Sequence, residues 1–115
     1  MIRHVELFHF RDDLEDIWDA YLPMSLAFHG MIKTFKTLFD LNCQWTMDKN
    51  KEWDMMLVVD FPNYAERTRF VNDPKYLEIM EMGKQFVDRH TYSDFVFYDY
   101  PKITEEMAEE WSLYR

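Results

Sequence analysis

His4 and Glu6 stand two positions apart in a segment, Ile2 to Phe10, that is rich in strand formers and carries no breaker. In a strand, residues two apart share a face. The Glu6 carboxylate can therefore orient or charge the His4 imidazole, and such a pair can move a proton near neutral pH. Phe8, Met55, Leu57 and Val59 supply apolar wall around the pair. An ionised Glu6 inside that wall needs a partner, because an unpaired buried charge is costly. Tyr76 and Tyr100 bring hydroxyls that can polarise a substrate carbonyl or position a phenol, although buried tyrosines also simply pack and bond to backbone. His4 has the same two readings, proton carrier or core histidine bonded to a neighbour. Trp18, Tyr21, His29 and Phe70 complete the expected substrate pocket, with His29 beside Gly30 either at the cavity mouth or in a solvated loop.

The other reactive residues point to no further chemistry. His9 faces the opposite side of the first strand, and His90 is expected at a helix end, where its charge suits the dipole. The four histidines show no i, i+4 pairing or other ligand spacing, so no metal is expected. Cys43, the single cysteine, has no local His or Cys to activate it, and no glycine-rich phosphate loop exists. No cofactor is expected. Nine methionines are many for 115 residues, and they serve either as core filler or as the soft lining of a pocket for a flat or flexible apolar ligand.

These groups need a scaffold, and the length allows one domain with one core. A net charge of −9 without a basic stripe argues against nucleic acid, and no apolar run approaches the ~18 residues of a membrane span. The lone cysteine and the absence of a signal-like apolar start make the cytoplasm the expected location.

Residues 2–10 read as a first strand with both faces partly apolar. Asp12 and Glu15 have capping spacing ahead of Leu14, Ile17, Trp18, Tyr21 and Leu22, so a helix is expected there, ended or kinked at Pro23. A second strand is expected over 31–41, a turn over 48–52 and a buried third strand over 53–61. Asn63 with Glu66 caps a short helix ending near Asn72. Asp73-Pro74 opens another, whose Gly83 permits close backbone approach. A fourth strand is expected over 92–100, and a final helix capped by Thr104 over 103–115. This order favours an α+β fold: a four-stranded antiparallel sheet with helices on one face, its other face covered by a second copy of the chain.

The opening Met1 to Phe10 resembles the first strand of the stress-responsive dimeric α/β barrel (Dabb) family. Gly30 before the second strand, Met55 to Phe61 ending in Asp60-Phe61, Asn72-Asp73-Pro74 and Asp99-Tyr100 match further landmarks in order, so the resemblance covers roughly residues 1–100, and the domain it marks is taken as 1–102. It implies a ferredoxin-like protomer, sheet-to-sheet homodimerisation and a cavity between sheet and helices. Some members are stress proteins; others resemble plant polyketide cyclases of the olivetolic acid type, which close a ring by aldol condensation without metal or organic cofactor. By that resemblance His4 matches a substrate-side histidine and Tyr100 a cavity tyrosine. The late-helix histidine is replaced by Tyr76, the strand-three histidine by Met55 and the short-helix tyrosine by Phe70.

The expected function is therefore a cofactor-independent enzyme, an isomerase, cyclase or lyase, moving a proton on a small apolar or aromatic carbonyl compound. His4 is its base, Glu6 the orienting group, and Tyr76 or Tyr100 the donor to the developing oxyanion. Two alternatives stand beside it: a non-catalytic homodimeric stress-response or ligand-binding domain, and a monooxygenase of the antibiotic-biosynthesis type.

Overall fold

A computed structural model describes residues 1–31, 35, 40–47 and 51–96. Four strands, β1 (Ile2–Phe10), β2 (Asp40–Trp45), β3 (Met55–Phe61) and β4 (Val87–Val96), form one antiparallel sheet in the order β2-β3-β1-β4. Helix α1 (Trp18–Gly30) follows β1, and α2 (Tyr64–Val71) and α3 (Pro74–Gly83) lie between β3 and β4. None of the described helices is long and apolar enough to cross a membrane.

The period-two pattern of β1 sorts the sheet into two faces. Ile2, His4, Glu6, Phe8 and Phe10 are buried, while Val5, Leu7 and His9 between them are only half-buried. On the buried face the register sets Val59 beside His4, Leu57 beside Glu6 and Met55 beside Phe8, and the helices pack over them. Phe70 of α2 anchors this layer, with ring centroids 5.2 Å from Phe61, 5.6 Å from Phe35 and 5.2 Å from Tyr76. Both late helices start as their sequences dictate. Asn63 Oδ1 accepts from Glu66 N at 3.0 Å, and Asp73 Oδ1 accepts from Lys75 N at 2.8 Å with Pro74 in the first turn.

Three expected elements shift. The first helix begins at Trp18, where Asp16 Oδ1 accepts the Trp18 N–H at 3.0 Å, and not at the Asp12–Glu15 spacing. Starting later places Pro23 in the second turn, and the helix runs through it to Gly30 instead of stopping. The second described strand is Asp40–Trp45; of the expected span 31–41, Met31 caps the end of α1, and residues 32–34 and 36–39 lie outside the described residues. Its signal is the alternation of buried Leu41 and Cys43 with outward Asn42 and Gln44, which the β-forming residues upstream obscure. The fourth strand begins at Val87, five residues before the expected start, so that Phe10 pairs with Val87 after a register shift in β1. The expected strand end at 97–100, the turn residues 48–50 and the final helix over 103–115 lie outside the described residues.

Candidate active site

His4 and Glu6 are both fully buried on the helix-covered face, and the geometry between them is that of one bond: His4 Nε2 lies 2.8 Å from Glu6 Oε2. Glu6 has two more partners. The Tyr76 hydroxyl, delivered by α3, donates to Glu6 Oε1 at 2.8 Å, and His90 Nε2, delivered by β4, meets the same oxygen at 2.5 Å. Burial alone would raise the Glu6 carboxyl, but hydrogen bonds from His4 and His90, the charge of His4 and the bond from Tyr76 outweigh it. Together they hold the group down to about 2. Tyr76 moves the other way, its hydroxyl pushed up by burial and by the adjacent Glu6 charge, so it remains a donor.

A second carboxylate closes the far side of His4. Asp94 Oδ1 is 2.7 Å from His4 Nδ1, and Arg67 of α2 grips the same carboxylate with Nε at 3.1 Å and a terminal nitrogen at 2.8 Å. The Arg67 guanidinium also lies over the rings of Tyr64 and Tyr92, at 5.4 and 5.1 Å. With a carboxylate at each nitrogen, the His4 ring serves as a double donor and has no lone pair to offer a substrate. The hydrogen-bonded row runs Arg67, Asp94, His4, Glu6, His90, and among the described residues no buried side-chain nitrogen or oxygen lacks a partner.

His90 ends that row and differs from the rest. Its side chain is 25% exposed, whereas those of His4 and Glu6 are at most 1%. Since Glu6 is ionised at neutral pH, His90 Nε2 must carry the proton of their contact. In the neutral ring the lone pair falls on Nδ1, which has no protein partner among the described residues. The ring stacks on Phe8 at 4.7 Å and lines a cavity of about 230 Å³ between β4, α1 and α3, walled by Met24, Met80, Gly83 and Val87.

The expected site residues thus divide. His4, Glu6 and Tyr76 form one hydrogen-bonded unit; Leu57, Val59 and Phe70 pack around it, and Met55 lies beside Phe8, all of them buried. Trp18 and Tyr21 do not join them. They pack with Trp45, at ring distances of 4.9 and 5.1 Å, and the Tyr21 hydroxyl donates to the Cys43 carbonyl at 2.9 Å. His29 is exposed in the last turn of α1, because that helix continues past Pro23, and it does not line the cavity that His90 lines. Tyr100 lies outside the described residues. His90, expected at a helix end, is a strand residue and the cavity-facing member of the network. Its signal was the alternation His90, Tyr92, Asp94, legible only once β4 is known to start at Val87. No group of three or more His, Cys, Asp or Glu side chains among the described residues is placed to hold a metal.

The profile of the stress responsive A/B barrel domain matches residues 2–97. No curated protein matches the chain in sequence. Among solved structures, a dimeric ferredoxin-like protein of unknown function from Bacteroides fragilis superposes with a TM-score of 0.77 at 16% identity, over 84% of this chain and 95% of that one. A hydroxynitrile lyase from Passiflora edulis does so with a TM-score of 0.70 at 10% identity, over 85% and 94%. An antibiotic biosynthesis monooxygenase gives 0.67 at 10% identity, over 85% and 99%. At these identities the likeness is one of fold.

Proposed function

We propose that this chain, which belongs to the stress responsive A/B barrel domain family, is a cytoplasmic small-molecule enzyme that transfers a proton on a compact apolar or aromatic carbonyl compound, as an isomerase, cyclase or lyase, without an organic cofactor. One observation carries the reading: a histidine whose Nε2 is fixed by an ionised, buried glutamate keeps its Nδ1, which has no partner among the described residues, at the wall of an apolar cavity. That is the arrangement of a general base held in one tautomer by a carboxylate. His90 takes the substrate proton on Nδ1, and Glu6 stabilises the imidazolium that results. His4, Asp94 and Arg67 keep Glu6 charged and in place, which moves the role of base from His4 to the residue at the other end of the Glu6 carboxylate. Tyr76 fixes the Glu6 rotamer. A hydroxynitrile lyase shares the fold, so the fold can host such an enzyme, and the role itself is argued from the site.

Deuterium exchange tests it. Small ketones and aldehydes with an α-proton, acetophenone and phenylacetaldehyde among them, are incubated in D2O and followed by NMR. His90→Ala is expected to slow exchange by about 10²–10⁴-fold, the usual worth of a positioned base. Wild-type rates in the variant, or no exchange above buffer for any compound, would refute the reading and leave the alternative of a ligand-binding domain without turnover. The monooxygenase reading rests on shared fold alone.

The protein acts as a homodimer. The sheet face opposite the described helices carries Val5, Leu7, Met56 and Val58, all half-buried, and Phe95, which is 55% exposed. An apolar face of this kind calls for cover, and the Bacteroides fragilis relative of the same fold is dimeric. Light scattering is expected to give twice the chain mass, falling to one on Leu7→Asp; a wild-type monomer at micromolar concentration would refute the pairing.

A further inference from the structure

Gly83 is the last residue of α3, and its φ is not positive, so its backbone does not call for glycine. Glycine also weakens a helix relative to alanine. The reason for it is therefore space. A Cβ built on Gly83 would lie 3.1 Å from Met24 Cε and 3.6 Å from Met24 Sδ. Met24 is fully buried, and it walls the cavity that His90 lines. A thioether chain yields easily, and the open space beside it is that cavity.

We propose that Gly83 is the specificity-determining residue of this cavity: by leaving room for the end of Met24, it sets how long a ligand fits against His90. The inference rests on the cavity being the ligand site. It also fixes the ligand class. The charged residues at the cavity rim are each engaged elsewhere: Lys84 with Glu81 at 2.7 Å, Asp88 with His9 at 2.5 Å, and Arg89 with the Glu52 carbonyl at 3.3 Å and over the Trp53 ring. Phe8, Met24, Met80 and Val87 make the rest of the wall apolar. The ligand is neutral, and about 230 Å³ is below the ~300 Å³ at which sites for drug-sized ligands begin. A single ring with a short substituent fits.

The probes are benzaldehyde and its 4-methyl, 4-ethyl and 4-isopropyl derivatives, titrated into the full chain and followed by amide shifts at Gly83 and His90 and by calorimetry. These aldehydes lack an α-proton, so the series reads binding alone, and its outcome is separable from that of the exchange assay. Gly83→Ala is expected to weaken the 4-isopropyl compound by about tenfold or more relative to benzaldehyde, the scale of a misfit of one methyl group in an apolar pocket. Adding Met24→Leu, a shorter side chain of similar volume, is expected to restore it. The melting temperature of Gly83→Ala should equal or exceed that of wild type, since Met24 yields and the helix gains an alanine. Equal loss across the series, no rescue, a lowered melting temperature, or a wild type that binds none of the four would each overturn the proposal. Discrimination along the series with no deuterium exchange would uphold it and refute the enzymatic reading.

Discussion

Replacing Glu6 by Gln tests the reasoning about the buried network without reference to any substrate. The carboxyl is held down to about 2 in the folded protein against an ordinary glutamate value of 4.5. A gap of about 2.5 pH units at about 1.36 kcal/mol each is about 3 kcal/mol of stability held by the ionised form. Glu6 is fully buried, so solvent screening removes little of this. Its folded value is depressed, so the contribution is complete above pH 4.5 and is lost as the pH falls through 4.5 toward 2. Glu6→Gln keeps the shape and removes the charge, leaving His4 and His90 without their anion. Urea unfolding of both proteins at half-unit steps from pH 7 to pH 3, compared as the difference in unfolding free energy, isolates the group from every other acid that titrates. The difference is expected to be about 3 kcal/mol at pH 7, a large part of a typical 5–15 kcal/mol total, and to shrink steadily below pH 4.5. A difference under ~0.5 kcal/mol at pH 7, or one that stays flat to pH 3, would refute the claim that three donors hold Glu6 ionised in the core.

Tyr76→Phe removes one of those donors; it is expected to cost about 1.5–3 kcal/mol, as for a hydrogen bond to a charged group, and to move the acid-side loss of stability to higher pH in the same urea series. Cys43 is buried, and its thiol is pushed up to about 11 by burial, so a disulfide reagent at pH 8 should label it only at the rate at which the protein unfolds. Asn63→Ala removes the cap on Glu66 N and should lower stability by about 1 kcal/mol in urea, while Asn63→Asp should not.

Several local features were legible before any coordinates. The alternation of β1 placed His4, Glu6, Phe8 and Phe10 on one face, and the caps at Asn63 and Asp73 marked the starts of α2 and α3, because each of these signals lies within a few neighbouring residues. The family's landmarks, strung along the chain in order, pointed to the sheet and its helical cover. What lay beyond reach was whatever depends on register. His90 is 84 positions from Glu6, and Asp94 is 90 from His4. Only the pairing of β4 with β1 sets them side by side, Phe8 against His90 and His4 against Asp94. β4 also hides its own start, because an edge strand exposed along most of its length carries Asp88, Arg89 and Thr91 where a buried strand would alternate with apolar residues. The sequence alone therefore determined which face of β1 carries the titratable pair and where the late helices begin. The tertiary structure decided which histidine meets the cavity, since hydrogen-bond register between distant strands leaves no periodic trace in either one.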